Sequence, residues 1–416
     1  MTTTLKFITI RFTLVLSILF VLFFNNGSFI FFYYIQKYTH EYQQALVLWF
    51  GRNCVGLKDL TAVMNGSGDT TFSYVQLLFI GVLALLLTVI WSPLDSRRKN
   101  SDHLVYWLIA LLRFYVGFML IHYGLAKLNN GQFAGPNAYT MGVAYGDFSP
   151  MGLAWRFLGF SEGYKTFMFF AEMMGILLLF RRTATIGAFL CLMTCLNIMA
   201  INYFFDVPVK LLSTALVVMC LIILSPNIVR LFNFFFLGKT VTLDPINPPH
   251  FRKKWMRVTK TVFKYVMIFI CAAAPLVGTL ILTFRNKPEE KAGIFNRYDV
   301  ASINWTNGVP PQSYPYFITK WKYIGLEKGD RAFINYGPKE FLNCNIDVDE
   351  KVKTLTFSFD DKSEEKHLLN YRLYAKDSLK ISGQFFGKPV VMKLVRKDFE
   401  LTKQGFRWIN EQPYNK

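Results

Sequence analysis

The sequence predicts an all-α membrane bundle of about seven transmembrane helices, followed by a C-terminal extracytoplasmic all-β domain. Three observations carry this. The 416 residues are 53% hydrophobic and only 18% charged, which excludes a disordered or fibrous chain and weighs against an ordinary soluble enzyme. Apolar runs long enough to cross the roughly 30 Å hydrocarbon core, about 20 residues each, recur through residues 1–284 and then stop. From Asn296 onward apolar and polar residues alternate with period two, the strand signature. The chain therefore divides into a transmembrane domain, 1–284, and a β-rich domain, 285–416.

The apolar runs fall at 7–24, 72–92, 104–128, 163–180, 184–204, 209–228 and 262–284. Lys6 and Arg11 precede the first run as in a signal peptide, but "FFNNGSF" is a poor cleavage site, so this run is expected to stay as an anchor. With the N-terminus inside, the inner segments hold 15 Lys and Arg and the outer segments six. That bias orients the N-terminus to the cytoplasm. An odd number of crossings then puts the C-terminal domain outside. The net charge of +19 is met by anionic inner-leaflet lipid and implies no nucleic acid.

Between the spans, the outer segment 25–70 carries "FIFFYYIQKY" and "ALVLWF", aromatic stretches suited to lying at the interface. Its end, "NGSGDTT", offers Ser67 or Asp69 as an N-cap for the next helix; without a following Lys its glycines are not a phosphate loop. The long 129–160 loop, which includes Asp147, suits a lid. In "NYFFDVPVK", Asp206 suits the cap of the next helix with Pro208 in its first turn; Asp206, Lys210 and Asp147 are also the outer-face site candidates. The six cysteines form no C-x-x-C pair. Cys191 and Cys195 lie one turn apart, as small apolar side chains in a helix, and a Cys54–Cys344 bridge is left open. No metal-ligand cluster is visible.

In the β domain "DRAFINYG", "VKTLTFSF", "LLNYRLYA", "LKISGQFF", "PVVMKLVR" and the terminal "GFRWIN" read as strands, spaced for an antiparallel sandwich or barrel. Nothing there assembles a nucleophile with a base, so the domain reads as a docking module.

The most informative residues are ionisable groups inside the spans, where charge is costly unless paired. Arg113 lies about 15 Å of helix beyond His103, and Glu172 about 14 Å before Arg181. The two helices run antiparallel, so this places both at one depth and predicts an Arg113–Glu172 pair. Tyr106, Arg113, Gly117, Gly124 and Lys127 share one helical stripe, with Lys165 and Glu172 on one face of the next span and Asn197 within bonding reach. Two readings of the cluster stand side by side: an ion pair that fixes helix register, or a polar pocket opening outward. In the second, its cation would hold an anionic or carbonyl-bearing group such as a quinone or a lipid head.

The stretch "RFYVGFMLIHYGLAKL" (113–128), with Arg113, Gly117, Gly124 and Lys127 as its Arg, Gly and Gly-x-x-Lys, resembles the DoxX-like membrane family. "QF" (132–133), "YGDFSPMGLAWRFLGFS" (145–161), "FAEMMGILLLFRRT" (170–183) and "NYFFDVPVKL" (202–211) extend the likeness to the longer Bacteroidota-type members. It spans about residues 70–235. The resemblance implies a four-helix core in the inner membrane with a periplasmic C-terminal domain. Two functions are expected first: an accessory envelope protein binding a partner through 285–416, the domain read above as a docking module, and a quinone- or lipid-linked redox component, as the likeness of some family members to quinone-linked oxidoreductase subunits implies. A small-molecule transporter is the third expectation. No resident cofactor is expected; quinone is the candidate if one binds.

Overall fold

The computed structural model describes residues 3–63, 68–95, 100–128, 131–243, 253–285, 293–306, 321–327, 331–337, 340–359, 366–374, 377–403 and 409. They form two units: residues 1–133 with 149–285, and residues 134–148 with 286–416. The division is thus not a single cut near 284, because a piece of the α4–α5 connection belongs with the C-terminal unit.

The first unit is helical. Its elements are α1 (Thr3–Phe23), α2 (Ile30–Asn53), α3 (Thr71–Leu94), α4 (Asp102–Leu128), α5 (Pro150–Phe160), α6 (Glu162–Met173), α7 (Ala184–Phe204), α8 (Lys210–Leu224), α9 (Ile228–Leu237), α10 (Lys254–Ile268) and α11 (Ala274–Arg285). Among the described residues six helices are long and apolar enough to cross a membrane: Leu5–Phe23, Thr71–Leu94, Asp102–Leu128, Ala184–Phe204, Lys210–Leu237 and Lys254–Thr283. The 163–180 run is not one continuous helix. After Met173 the chain tightens into a 3-10 helix over Met174–Leu179. At about 1.5 Å per residue for α6 and 2.0 Å for the 3-10 piece, the pair still reaches about 30 Å.

Helix α4 is the hub, buried along most of its length, with Leu112, Tyr115, Val116, Phe118, Leu120 and Ile121 fully enclosed. Its glycines make the closest approach. A Cβ placed on Gly175 would fall 2.8 Å from the carbonyl oxygen of Gly117, and one on Gly117 would fall 3.0 Å from that of Gly175. The backbones touch there, as small residues permit in membrane bundles. At one end of the bundle α1 is stapled to α3: Arg11, buried, donates from Nη2 to the Asp95 carboxylate at 3.0 Å and to its carbonyl at 2.9 Å. Helix α2 leaves Tyr33, Tyr34, Tyr38, Tyr42 and Trp49 exposed, an aromatic surface of the kind found at membrane interfaces.

The second unit is a closed eight-stranded antiparallel barrel, each strand hydrogen-bonded to the next in sequence and β8 back to β1. The strands are β1 (Arg297–Trp305), β2 (Tyr323–Glu327), β3 (Arg331–Gly337), β4 (Glu340–Asp349), β5 (Thr354–Ser358), β6 (Lys366–Tyr374), β7 (Ser378–Phe385) and β8 (Lys388–Arg396). Closure runs from Tyr298↔Arg396 to Trp305↔Val390, with a bulge between Val300 and Ser302. The interior of an eight-stranded barrel is narrow enough for side chains to fill. Ile324, Ile334, Leu355, Phe357, Leu369, Ile381, Phe385 and Leu394 fill the interior. The alternation that marks "LLNYRLYA" as a strand is visible in β6, where His367, Leu369 and Tyr371 are buried between exposed neighbours. The terminal "GFRWIN" lies outside the described residues except Ile409, which is in no strand.

The 134–148 segment is a strap on the outside of this barrel, not half of a lid formed with 149–160. Tyr139 packs edge-on against Phe333 (5.3 Å between ring centres) and Phe341 (5.2 Å), and its backbone N–H donates to Glu327 at 3.2 Å. Phe333 sits between the interior residues Ala332 and Ile334, so it points outward, yet it is 3% exposed. Aromatic cover accounts for this: rings of such area cannot be left wet without cost.

The cysteines are all free, Cys54 exposed in the helical unit and Cys344 buried in the barrel. The bridge left open by the sequence is therefore not made. Burial pushes the Cys344 thiol up to about 12, which keeps it protonated and unreactive. The β4–β5 turn shows the opposite shift. Asp349 Oδ1 accepts from the N–H of Lys351 (2.8 Å) and Val352 (3.0 Å), and these bonds hold its carboxyl below the usual carboxylate range. A depressed folded-state value means that the turn gains from ionised Asp349 above the ordinary value near 3.9. That gain disappears as pH falls through the lower folded-state value. NMR titration is expected to give Asp349 a pKa below the ordinary Asp value, and Asp349→Asn to remove the acid-side dependence of amide protection at Val352.

Candidate functional site

The ends of α1 and α4 and the starts of α3 and α8 gather at one end of the helical unit. A cavity of about 550 Å³ opens there, lined among others by Asn25, Asn26, Gln36, His40, Gln44 and Gln76. Its size lies within the range of small-molecule sites, about 300–1,000 Å³. A shallower depression of about 660 Å³ adjoins it, sharing Val63, Thr70 and Phe72 as a common wall.

Local geometry fixes most of these side chains. Asn25 closes the turn after α1: its Oδ1 accepts from the N–H of Phe29 (3.0 Å) and the hydroxyl of Ser28 (3.0 Å), and its Nδ2 donates to Phe29 O at 3.2 Å. Gln76 donates from Nε2 to Phe23 O at 3.0 Å, and Gln36 to Leu22 O at 3.4 Å. Gln44 and His40 share a hydrogen bond of 2.9 Å. Helix ends leave such carbonyls without internal partners, so the amides of α2 and α3 complete the C-terminus of α1.

Asp69 forms another part of the wall. Its two oxygens accept from the N–H groups of Lys210 (2.6 Å) and Leu211 (3.0 Å). It thus caps α8 from a loop 141 residues away, with a backbone φ of +50° that Asp tolerates better than most residues. The cap of α3 is Thr70, which accepts from Ser73 N at 3.2 Å; Ser67 lies outside the described residues. This corrects the local capping scheme. Asp206 does not cap α8; its exposed carboxylate instead takes the Lys210 ammonium at 2.7 Å across one turn. Asp69→Ala is expected to lower stability by about 1–2 kcal/mol, with Asp69→Asn losing less, as read from thermal midpoints of the full chain in one detergent.

The intramembrane cluster is wired differently from the Arg113–Glu172 pair that the sequence predicts. Glu172 is bonded to Lys127, whose Nζ stands 2.7 Å from Oε1 and 2.6 Å from Oε2, both side chains about 4% exposed. Lys127 also donates to Gln132 Oε1 (3.1 Å) and Tyr123 O (3.3 Å) and lies 5.6 Å from the centre of the Phe133 ring. Arg113, 4% exposed, donates from Nε to the carbonyl of Leu178 at 2.7 Å. The cause is register. Arg113 meets Leu178 and Gly117 meets Gly175, so His103 and Arg181 do not stand at one level, and the 3-10 piece adds about 3 Å more between Glu172 and Arg181. Glu172 therefore lies opposite Gly124, where its Cβ is 3.4 Å from a Cβ built on that glycine. The flexible lysine stem covers the remaining gap.

Of the other candidates, Tyr106 is buried, with the Lys260 ammonium 4.8 Å from its ring centre. Asn197 is exposed on α7, and Asp147 is exposed in the strap of the barrel unit. Lys165 is buried and bonds Glu162 at 2.6 Å. The structure therefore unites Lys127 with Glu172, and Asp206 with Lys210, and leaves Arg113, Tyr106, Asn197 and Asp147 elsewhere. Among the described residues no three His, Cys, Asp or Glu side chains converge as metal ligands. The ion pair adjoins the cavity through Tyr123, whose carbonyl accepts from Lys127 and which lines the cavity wall. Sequence reasoning passed over Gln36, Gln44 and Gln76, although the amides inside "FIFFYYIQKY" and "TFSYVQLLFI" are a visible signal for Gln36 and Gln76.

No family model matches the chain, and no solved structure matches it. It is 41% identical over 116 residues to the uncharacterized protein YwoB of Bacillus subtilis (strain 168), a match that takes in 73% of YwoB and 28% of this chain. On that overlap, the chain belongs to the family of YwoB.

Proposed function

We propose that this protein is a DoxX-like accessory protein of the cell envelope, seated in the inner membrane, which binds a small ligand in its helical unit and a protein partner through its barrel. The observation that carries the proposal is the amide-lined cavity of about 550 Å³. The charges around it are already engaged: Glu172 with Lys127, and Asp69 with the α8 amides. Arg113 is likewise held on the Leu178 carbonyl. Such groups hold helices in place, and what remains open to a ligand is neutral hydrogen-bonding capacity. Binding fits this better than proton or electron transfer.

The threading follows from the same features. Counting the interrupted 162–179 helix as a crossing makes seven, with the N-terminus cytoplasmic and the barrel periplasmic. The α4–α5 connection packs on the barrel, so the two share one side of the membrane, in keeping with that arrangement. The exposed aromatic and basic surfaces face lipid.

Native mass spectrometry of the full chain, released from its own membrane in mild detergent, tests the proposal. A one-to-one small-molecule adduct, lost on Gln36→Leu and Gln76→Leu, is the expected result. Stoichiometric quinol oxidation with no retained adduct would replace it by the redox reading.

A further inference from the structure

We infer that the cavity at the α1, α3, α4 and α8 ends receives a neutral, hydroxyl-rich group such as a sugar ring, carried on a lipid or free in solution. This rests on the ligand-binding reading and specifies its chemistry.

Part of the wall's hydrogen-bonding capacity is already spent. A backbone carbonyl only accepts, so Gln36 and Gln76 present one amide N–H each to Leu22 O and Phe23 O. Each amide keeps its carbonyl oxygen as an acceptor and its second N–H as a donor. The Asp69 oxygens each take one N–H from α8, which leaves acceptor lone pairs on a carboxylate whose charge the helix N-terminus partly offsets. The wall thus offers neutral donors and acceptors side by side. A matching ligand supplies both.

Quinones bring acceptors alone. They can take the free N–H groups but leave the wall's carbonyl and carboxylate oxygens without donors, and unmade hydrogen bonds of this kind are costly. Phosphate and other anions fare no better. The chain carries 46 Lys and Arg, yet among the described lining residues none is Lys or Arg. A phosphate there would lack the charge-assisted partners it ordinarily requires. An ammonium would need a whole carboxylate, and Asp69 is committed to α8. Hydroxyl groups satisfy the wall without a counter-charge. The aromatic residues Phe24, Phe72 and Tyr123 on the same wall suit the C–H faces of a sugar ring, giving the mix of apolar surface and a few placed polar groups typical of ligand sites.

The experiment uses the full chain in phosphatidylcholine nanodiscs containing equal small fractions of glucosyl-diacylglycerol, phosphatidic acid and menaquinone, read by native mass spectrometry. A parallel arm adds glucose or maltose to undoped discs and reads the thermal midpoint. Selective one-to-one retention of the glycolipid, or a sugar-dependent rise in midpoint, supports the inference and identifies the source as lipid-borne or free. Gln76→Leu is expected to cut retention at least tenfold, with only the modest fall in sugar-free midpoint that loss of its bond to Phe23 O entails. Should that variant fail to fold, Gln36→Leu, whose anchoring bond is longer at 3.4 Å, serves instead. Selective retention of menaquinone or phosphatidic acid, lost in the same variant, would overturn the hydroxyl assignment but leave the pocket standing as a binding site. No selective retention at all would overturn both.

Discussion

Glu172→Leu is expected to destabilise the helical unit by about 3–5 kcal/mol, the cost of leaving a lysine buried without its partner. The Lys127 ammonium would keep Tyr123 O and Gln132 Oε1, two neutral acceptors that do not balance a full charge. Replacing both members at once, Lys127→Met with Glu172→Leu, removes the stranded charge and is expected to cost less than either single change. Unfolding of the full chain in one detergent, followed by thermal midpoint or by half-life at fixed temperature, tests this. If Glu172→Leu and the double variant are equally unstable, the pair does not hold these helices. Arg113→Met separates this wiring from the one that the sequence predicts: it removes the bond to the Leu178 carbonyl and should leave the consequence of Glu172→Leu unchanged.

The second large effect is expected at Gly175. A Cβ there meets the Gly117 carbonyl oxygen at 2.8 Å and the Leu120 side chain at 3.2 Å, and a carbonyl inside a helix cannot swing aside. Gly175→Ala should cost about 1–3 kcal/mol by overpacking, and Gly175→Val more. Displacing the 3-10 piece also moves Glu172, one turn earlier, relative to Lys127. The two sites should therefore be coupled, with Gly175→Val and Glu172→Leu together costing less than the sum of their separate effects. Strict additivity in that double-mutant cycle would show that the backbone contact and the ion pair act independently.

What could be read in advance depended on how local the cause was. Strands β5 to β8 announce themselves because each buries alternate residues on an interior lined by Leu355, Leu369, Ile381 and Leu394. Strand β1 hides because its bulge between Val300 and Ser302 shifts the alternation by one residue, and β4, "EFLNCNIDVD", because half its residues are polar. The six continuous apolar spans were legible from hydropathy alone; α2, broken by polar residues, and the break at Met174 were not, the latter since "MMGILLLF" is as apolar as any continuous span. The wrong partner for Glu172 follows mainly from setting His103 level with Arg181, when it is Arg113 that meets Leu178, three residues from Arg181. Asp69 belongs to another class: a carboxylate that caps a helix 141 positions later cannot be recognised by scanning neighbours. The cavity was invisible for a chemical reason. Charged residues in apolar runs draw notice, whereas Gln36 stands beside Lys37 at the end of its run and Gln76 interrupts its own for a single position.

The strap on the barrel sets a timetable for synthesis. Tyr139 leaves the ribosome well before Phe333 and Phe341, and 137 residues separate Phe148 from Asn286, the two edges of the same unit. At about 5–20 residues per second, Tyr139 waits roughly 10–40 s for Phe333, the first of the two rings it covers. A barrel made without it would emerge with Phe333 and Phe341 bare, so the last third of the protein is born depending on a short stretch that was delivered long before it.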